Sequence, residues 1–147
     1  MSRSVSSPAR RIGPILLVDD YDDQRATVRE ALENAGYTIL EAANGQQALN
    51  TLVTRAERVA LIVLDLQMPV MDGWRLIELL RCYVGLASIP VIVVTANEPR
   101  LEQTQHQGIY GCIRAPYAIQ VLIDMVDDCM AGARRMTPEE AARPRSV

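Results

Sequence analysis

The chain has 147 residues, 49% of them apolar, with 18 acidic against 15 basic side chains and a formal net charge of -3. That length suits one ordinary core, and the acidic balance leaves no clustered basic face of the kind nucleic acid requires. The longest apolar runs, Val59 to Leu64 and Ile89 to Val94, fall far short of the roughly 20 residues of a membrane-spanning helix. Ile15 to Val18 is likewise too short for a secretory signal core, so no membrane partner and a cytoplasmic location are expected.

Residues 1–13 are rich in Ser, Arg and Pro and read as a flexible N-terminal tail, and 132–147 as a similar C-terminal tail. Between them, residues 14–131 form the predicted domain. "PILLVDD" reads as a buried strand, after which Val28, Ala31, Leu32 and Ala35 fall at i, i+3, i+4, i+7 before Gly36, a helix stop. "YTILEA" is the second strand, and Ala48, Leu49, Leu52 and Ala56 mark the next helical stripe. "ALIVLD" is the third strand, apolar on both faces as a central parallel strand must be. Leu76, Ile77 and Leu80 give a third helix face, and "IPVIVVTA" a fourth strand. A short, Gln-rich helix opened by Pro99 is expected next. "IYGCIRAP" is the fifth strand, and Ile119, Leu122, Ile123, Val126 and Met130 set the last helix stripe. Strict alternation predicts a three-layer αβα, (βα)5 fold on a parallel five-stranded sheet, with functional groups at the carboxyl ends of the strands.

Asp19 and Asp20 close the first strand, Asp65 the third and Thr95 the fourth, so three segments converge on one rim. A flavodoxin-like order of 2-1-3-4-5 makes the first and third strands neighbours. Two unit charges about 4 Å apart repel by about 4 kcal/mol at an effective dielectric constant of about 20. Either one carboxylate stays protonated or a hard cation binds, and carboxylate oxygens plus waters suit Mg²⁺.

In order and spacing, "ILLVDD", "LIVLDLQMPVMDGW", "IPVIVVTA" and "GIYGCIRAPY" resemble the receiver domain of two-component response regulators, the CheY-like fold. "EAANGQQAL" from Glu41 and Arg25, five residues after the acidic pair, add to the match, which covers roughly Pro14 to Met130. The resemblance implies that Asp65 is the phosphoacceptor. It implies Mg²⁺ held by Asp19, Asp20, Asp65 and the Gln67 backbone carbonyl, and phosphate-binding or switch roles for Thr95 and Ala96. It further implies a sensor histidine kinase or phosphotransfer protein as donor and a downstream protein target, in a signalling domain that is no enzyme beyond its own aspartyl phosphorylation and dephosphorylation.

The match breaks in the fifth strand. The family places a Lys immediately before the Pro, where this chain has Ala115, and all fifteen basic side chains are Arg. Arg114 is the adjacent cation, but alternation turns it away from the Lys position unless a bulge redirects it. Losing one charge-paired phosphate contact weakens the switched state by about 1.5–3 kcal/mol. At the family's aromatic switch position stands Cys112, a small hydrophobe. Tyr110, on the same parity, is the candidate substitute. Cys82, Cys112 and Cys129 show neither a disulfide framework nor zinc spacing.

Asp22 and Asp23 fit the helix dipole rather than the metal, Asp72 a turn or cap, and His106 a solvated side chain. Gln67 and Asn97 are candidates for controlling how water reaches an aspartyl phosphate. The leading expectation is a single-domain response regulator. The alternative is a pseudo-receiver that binds its partner through the face between the Pro99 helix and the last helix, independently of phosphorylation. A metal-dependent phosphatase ranks third, because such enzymes want an acid two residues after the nucleophile and Gln67 stands there.

Overall fold

The computed structural model describes residues 12–54, 58–66, 73–96 and 109–132. In chain order the elements are β1 (Ile15–Val18), α1 (Asp22–Asn34), β2 (Ile39–Ala42), α2 (Gly45–Thr54), β3 (Leu61–Asp65), α3 (Gly73–Leu80), β4 (Val91–Thr95), β5 (Ile109–Arg114) and α4 (Ile119–Met130). Of the tails assigned to 1–13 and 132–147, residues 1–11 and 133–147 lie outside the described residues, as do the helix expected at Pro99, Ala56, Gln67, Asp72, Asn97 and His106.

The five strands pair in parallel in the order β2-β1-β3-β4-β5, as expected for the flavodoxin-like arrangement. Strand residues alternate between two cores. Leu16, Val18, Ile62 and Leu64 pack with Ala48 and Leu52 of α2 and Leu76, Ile77 and Leu80 of α3. Ile15, Leu17, Leu61 and Val63 pack with Val28 and Leu32 of α1 and Leu122, Met125, Val126 and Cys129 of α4. Burial on both faces accounts for the continuous apolar runs of the central strands, since a period-two pattern has no solvent side to mark. Helix α1 ends as Gly36 predicts: its backbone takes φ +103° and its N–H donates to the Glu33 carbonyl, a conformation that glycine adopts without a Cβ clash. The Tyr37 hydroxyl donates to Asp127, tying the α1–β2 connection to α4.

Two sequence expectations are corrected. The α4 stripe is rotated from the predicted one: Met125 and Cys129 are buried, whereas Ile119 is 36% exposed. Ile119 opens the helix. The second correction is in β5, where Val91 pairs with Ile109 but Ile92 pairs with Gly111, so one residue is inserted against β4. The resulting bulge resets the parity. Tyr110 therefore packs in the α1/α4 core and Cys112 in the α2/α3 core, on opposite faces rather than the same one. Tyr110 cannot take over the position of Cys112.

Candidate functional site

The register of the central strands assembles the site. Leu17 and Val18 pair with Val63 and Leu64, which leaves Asp19 and Asp20 emerging beside Asp65. One carboxylate oxygen from each of the three acids lies within 4.8 Å of the others. Thr95, on the neighbouring strand, directly follows Val94, the partner of Asp65, and is only 4% exposed. The first three expected ligands and the strand-end hydroxyl are thus brought to one rim, and Gln67 lies outside the described residues.

Asp19 is also 4% exposed. It accepts a hydrogen bond from the Tyr21 backbone N–H at 2.9 Å. Burial pushes its carboxyl above the usual carboxylate range, opposed by that backbone hydrogen bond and reinforced by Asp20. Oδ1 of Asp20 is buried and has no hydrogen-bond partner among the described residues. A buried oxygen left bare beside two further carboxylates is costly in isolation. It is the feature that an oxygen-seeking divalent cation satisfies, so the residues fit Mg²⁺.

The site is braced from outside by Arg25, which sequence reasoning had placed only as a spacing match. Its Nη1 donates to the Asp19 carbonyl at 2.6 Å, Nε to Glu41 at 3.1 Å and Nη2 to Asp22 at 2.7 Å. Arg29 donates to the other Glu41 oxygen at 2.9 Å. The planar guanidinium thus fixes the β1–α1 turn against the end of β2. Asp22 is 82% exposed and engaged with Arg25. It stays outside the acidic cluster, consistent with its first-turn assignment.

On the β5 side, Arg114 pairs in register with Thr95 and is exposed, while Ala115 is half-buried against the α1/α4 core. The bulge lies four residues earlier and does not turn the guanidinium inward. The Ala115–Pro116 peptide is cis. A groove of about 550 Å³ opens here, lined by Gln24 and Thr27 of α1, by Ala96 and by Ala115, Pro116 and Tyr117. Tyr117 reaches further. It lines a second, small cavity of about 10 Å³ with Asp19, Gln24, Val63, Asp65 and Val94. Burial, and then the Asp19 and Asp65 charges, push its phenol up to about 12. Sequence reasoning missed Tyr117. The available signal was its distance of two residues from Ala115, which returns it to the same side of the chain.

The sequence matches the response regulator receiver domain over residues 15–127. The chain belongs to that family. Among relatives of this receiver domain, the sensor histidine kinase CheAY of Helicobacter pylori is 31% identical over 127 residues, covering 85% of this chain and 16% of the kinase. The chain therefore spans about one-sixth of that protein's length. The chemotaxis protein CheY homolog of Campylobacter jejuni is 29% identical over 119 residues, covering 79% of this chain and 91% of the homolog. The signal receiver domain of a signal transduction histidine kinase from Syntrophus aciditrophicus superposes with a TM-score of 0.74 at 31% identity, covering 85% of this chain and 95% of that one. Among the described residues no helix is long and apolar enough to cross a membrane.

Proposed function

We propose that this receiver domain, residues 14–131, is the phosphoacceptor of a two-component relay. It acts in the cytoplasm, takes a phosphoryl group on Asp65 from a sensor histidine kinase or phosphotransfer protein, and signals to a downstream protein by direct contact. The observation that carries this reading is the meeting of Asp19, Asp20 and Asp65 within 4.8 Å at the mouth of the sheet.

A carboxylate oxygen of Asp65 attacks the phosphorus of a phosphohistidine. The new P–O bond forms as the P–N bond breaks, and the electron pair of the broken bond stays on the imidazole nitrogen. Such a transfer depends on positioning and charge neutralisation rather than on acid or base help. Asp19, Asp20, Asp65 and the Gln67 backbone carbonyl are the residues that would hold Mg²⁺. When bound, the ion supplies the positive charge that offsets the phosphoryl oxygens. Asp19, fixed by the Tyr21 N–H and carried on a turn held by Arg25, keeps the acidic pair aimed at Asp65. Thr95 is placed to donate its hydroxyl to a phosphoryl oxygen, and Ala96 leaves room for one.

Incubation with Mg²⁺ and acetyl phosphate is expected to add one phosphoryl group by intact mass. Asp65→Asn is expected to remove the adduct, and Asp20→Asn to slow its formation strongly. No adduct with any small acyl phosphate or phosphoramidate rejects the proposal.

A second reading has its own support. Ala115 at the family's Lys position and the small Cys112 at its aromatic position remove two parts on which a phosphorylation-driven switch would draw, which favours constitutive partner binding. Equal partner affinity of wild type and Asp65→Asn, with and without phosphodonor, supports this pseudo-receiver reading over the first.

A further inference from the structure

Among the described residues, the sheet mouth is rich in carboxylates. Three carboxylates cluster there, the chain has no Lys, and Arg114, at the nearest strand end, is exposed to solvent. Ala115 is too short to reach the cluster. A phosphoryl group on Asp65 adds oxygens that need donors on the β5 side.

Among the described residues, Tyr117 borders this space. It packs, like Ala115, on the α1/α4 face of the sheet. It lines both the open groove beside Ala96 and Ala115 and the small inner cavity shared with Asp19 and Asp65. It therefore spans from the groove that a short residue at 115 leaves open to the carboxylates themselves. Its aromatic ring rests on apolar neighbours, including Val28, Val63 and Val94, which leaves the hydroxyl as its one polar group. A phenol ionises at about 10 in water, so near neutral pH it remains an O–H donor.

We propose that the Tyr117 hydroxyl is the β5-side hydrogen-bond donor to the phosphorylated Asp65, in place of a cation. This rests on the phosphoacceptor reading above. A phenol brings a directed hydrogen bond but no net charge, so the phosphoryl group is held by geometry more than by charge pairing on that side. Adduct formation is accordingly expected to depend on the hydroxyl itself, with the ring alone insufficient.

The test follows the adduct by intact mass with acetyl phosphate and Mg²⁺ in wild type, Tyr117→Phe and the double variant Tyr117→Phe, Ala115→Lys, with thermal unfolding of each. Tyr117→Phe is expected to keep the wild-type unfolding temperature and to form adduct about tenfold more slowly, the scale of a hydrogen bond to a charged acceptor. The double variant is expected to regain most of the rate, because a Lys at 115 points to the same face. Adduct formation by Tyr117→Phe at the wild-type rate overturns the inference and leaves the phosphoacceptor reading standing. A slow Tyr117→Phe that Lys does not rescue also overturns it, by assigning the loss to packing. Absence of adduct in wild type rejects the phosphoacceptor reading, and this inference with it.

Discussion

Glu41 shows how one residue couples the site to the fold. The hydrogen bond from Arg29 is the largest influence and holds its carboxyl below its ordinary value; burial opposes it, and the hydrogen bond from Arg25 and both guanidinium charges add to the lowering. A group whose folded pKa lies below its unfolded value stabilises the fold above that unfolded value and loses the contribution as pH falls. The Glu41 contribution is therefore fully present at neutral pH and disappears as pH drops below its ordinary 4.5. Glu41→Gln is expected to cost about 0.5–1 kcal/mol at pH 7, or about 2–4 °C in Tm. The gap from wild type is expected to close in acid, which thermal unfolding across pH 3 to 8 measures. A gap that persists at pH 3 would assign the effect to packing instead.

At the scale of elements, the approach of α3 to β3 limits what the site tolerates. The Gly73 N–H donates to the Leu66 carbonyl at 3.0 Å, and a Cβ at Gly73 would lie 2.8 Å from the Leu66 Cα and 3.1 Å from the Asp65 carbonyl oxygen. The clash is with backbone, which has no rotamer to yield. Gly73→Ala is expected to lower stability by about 1–3 kcal/mol, as overpacking does. Because the displaced atoms adjoin Asp65, it is also expected to slow adduct formation. Chemical denaturation with wild-type stability would contradict this. The β5 bulge belongs to the same scale. Nothing in "GIYGCIRAP" marks which residue is inserted, because Ile109, Tyr110, Cys112 and Ile113 are all buried and either parity satisfies the hydrophobic pattern. The rotation of α4 was hidden in the same way, since Met125 and Cys129 extend the apolar face and periodicity alone does not centre it.

Over the whole molecule, legibility divided along physical lines. The parallel sheet followed from strict alternation and from apolar runs that leave no solvent face, whereas the order 2-1-3-4-5 came from the flavodoxin-like expectation. Asp19, Asp20, Asp65 and Thr95 stood out because an ionisable or polar group at the end of a buried run is conspicuous. Arg25 with Glu41, and the approach of Tyr117 to Asp19 and Asp65, were less legible: spacing from Ala115 marks only the side of the chain on which Tyr117 lies, and each approach depends on the turns between strand and helix. The proposed function rests on an adjacent acidic pair, Asp19 and Asp20, meeting the distant Asp65 to form one divalent-cation site beside the acceptor oxygen. A ligand bound by the native state alone must raise its stability, by about 2.7 kcal/mol at a hundredfold excess over Kd. The most direct measurement is therefore the Tm of wild type and Asp20→Asn across a Mg²⁺ titration, read together with the fluorescence of Trp74, which packs against the core beneath α3. The account predicts a saturable rise in wild type, and in Asp20→Asn a higher metal-free Tm with little further gain. A flat titration in wild type, or an equal rise in both proteins, would contradict it.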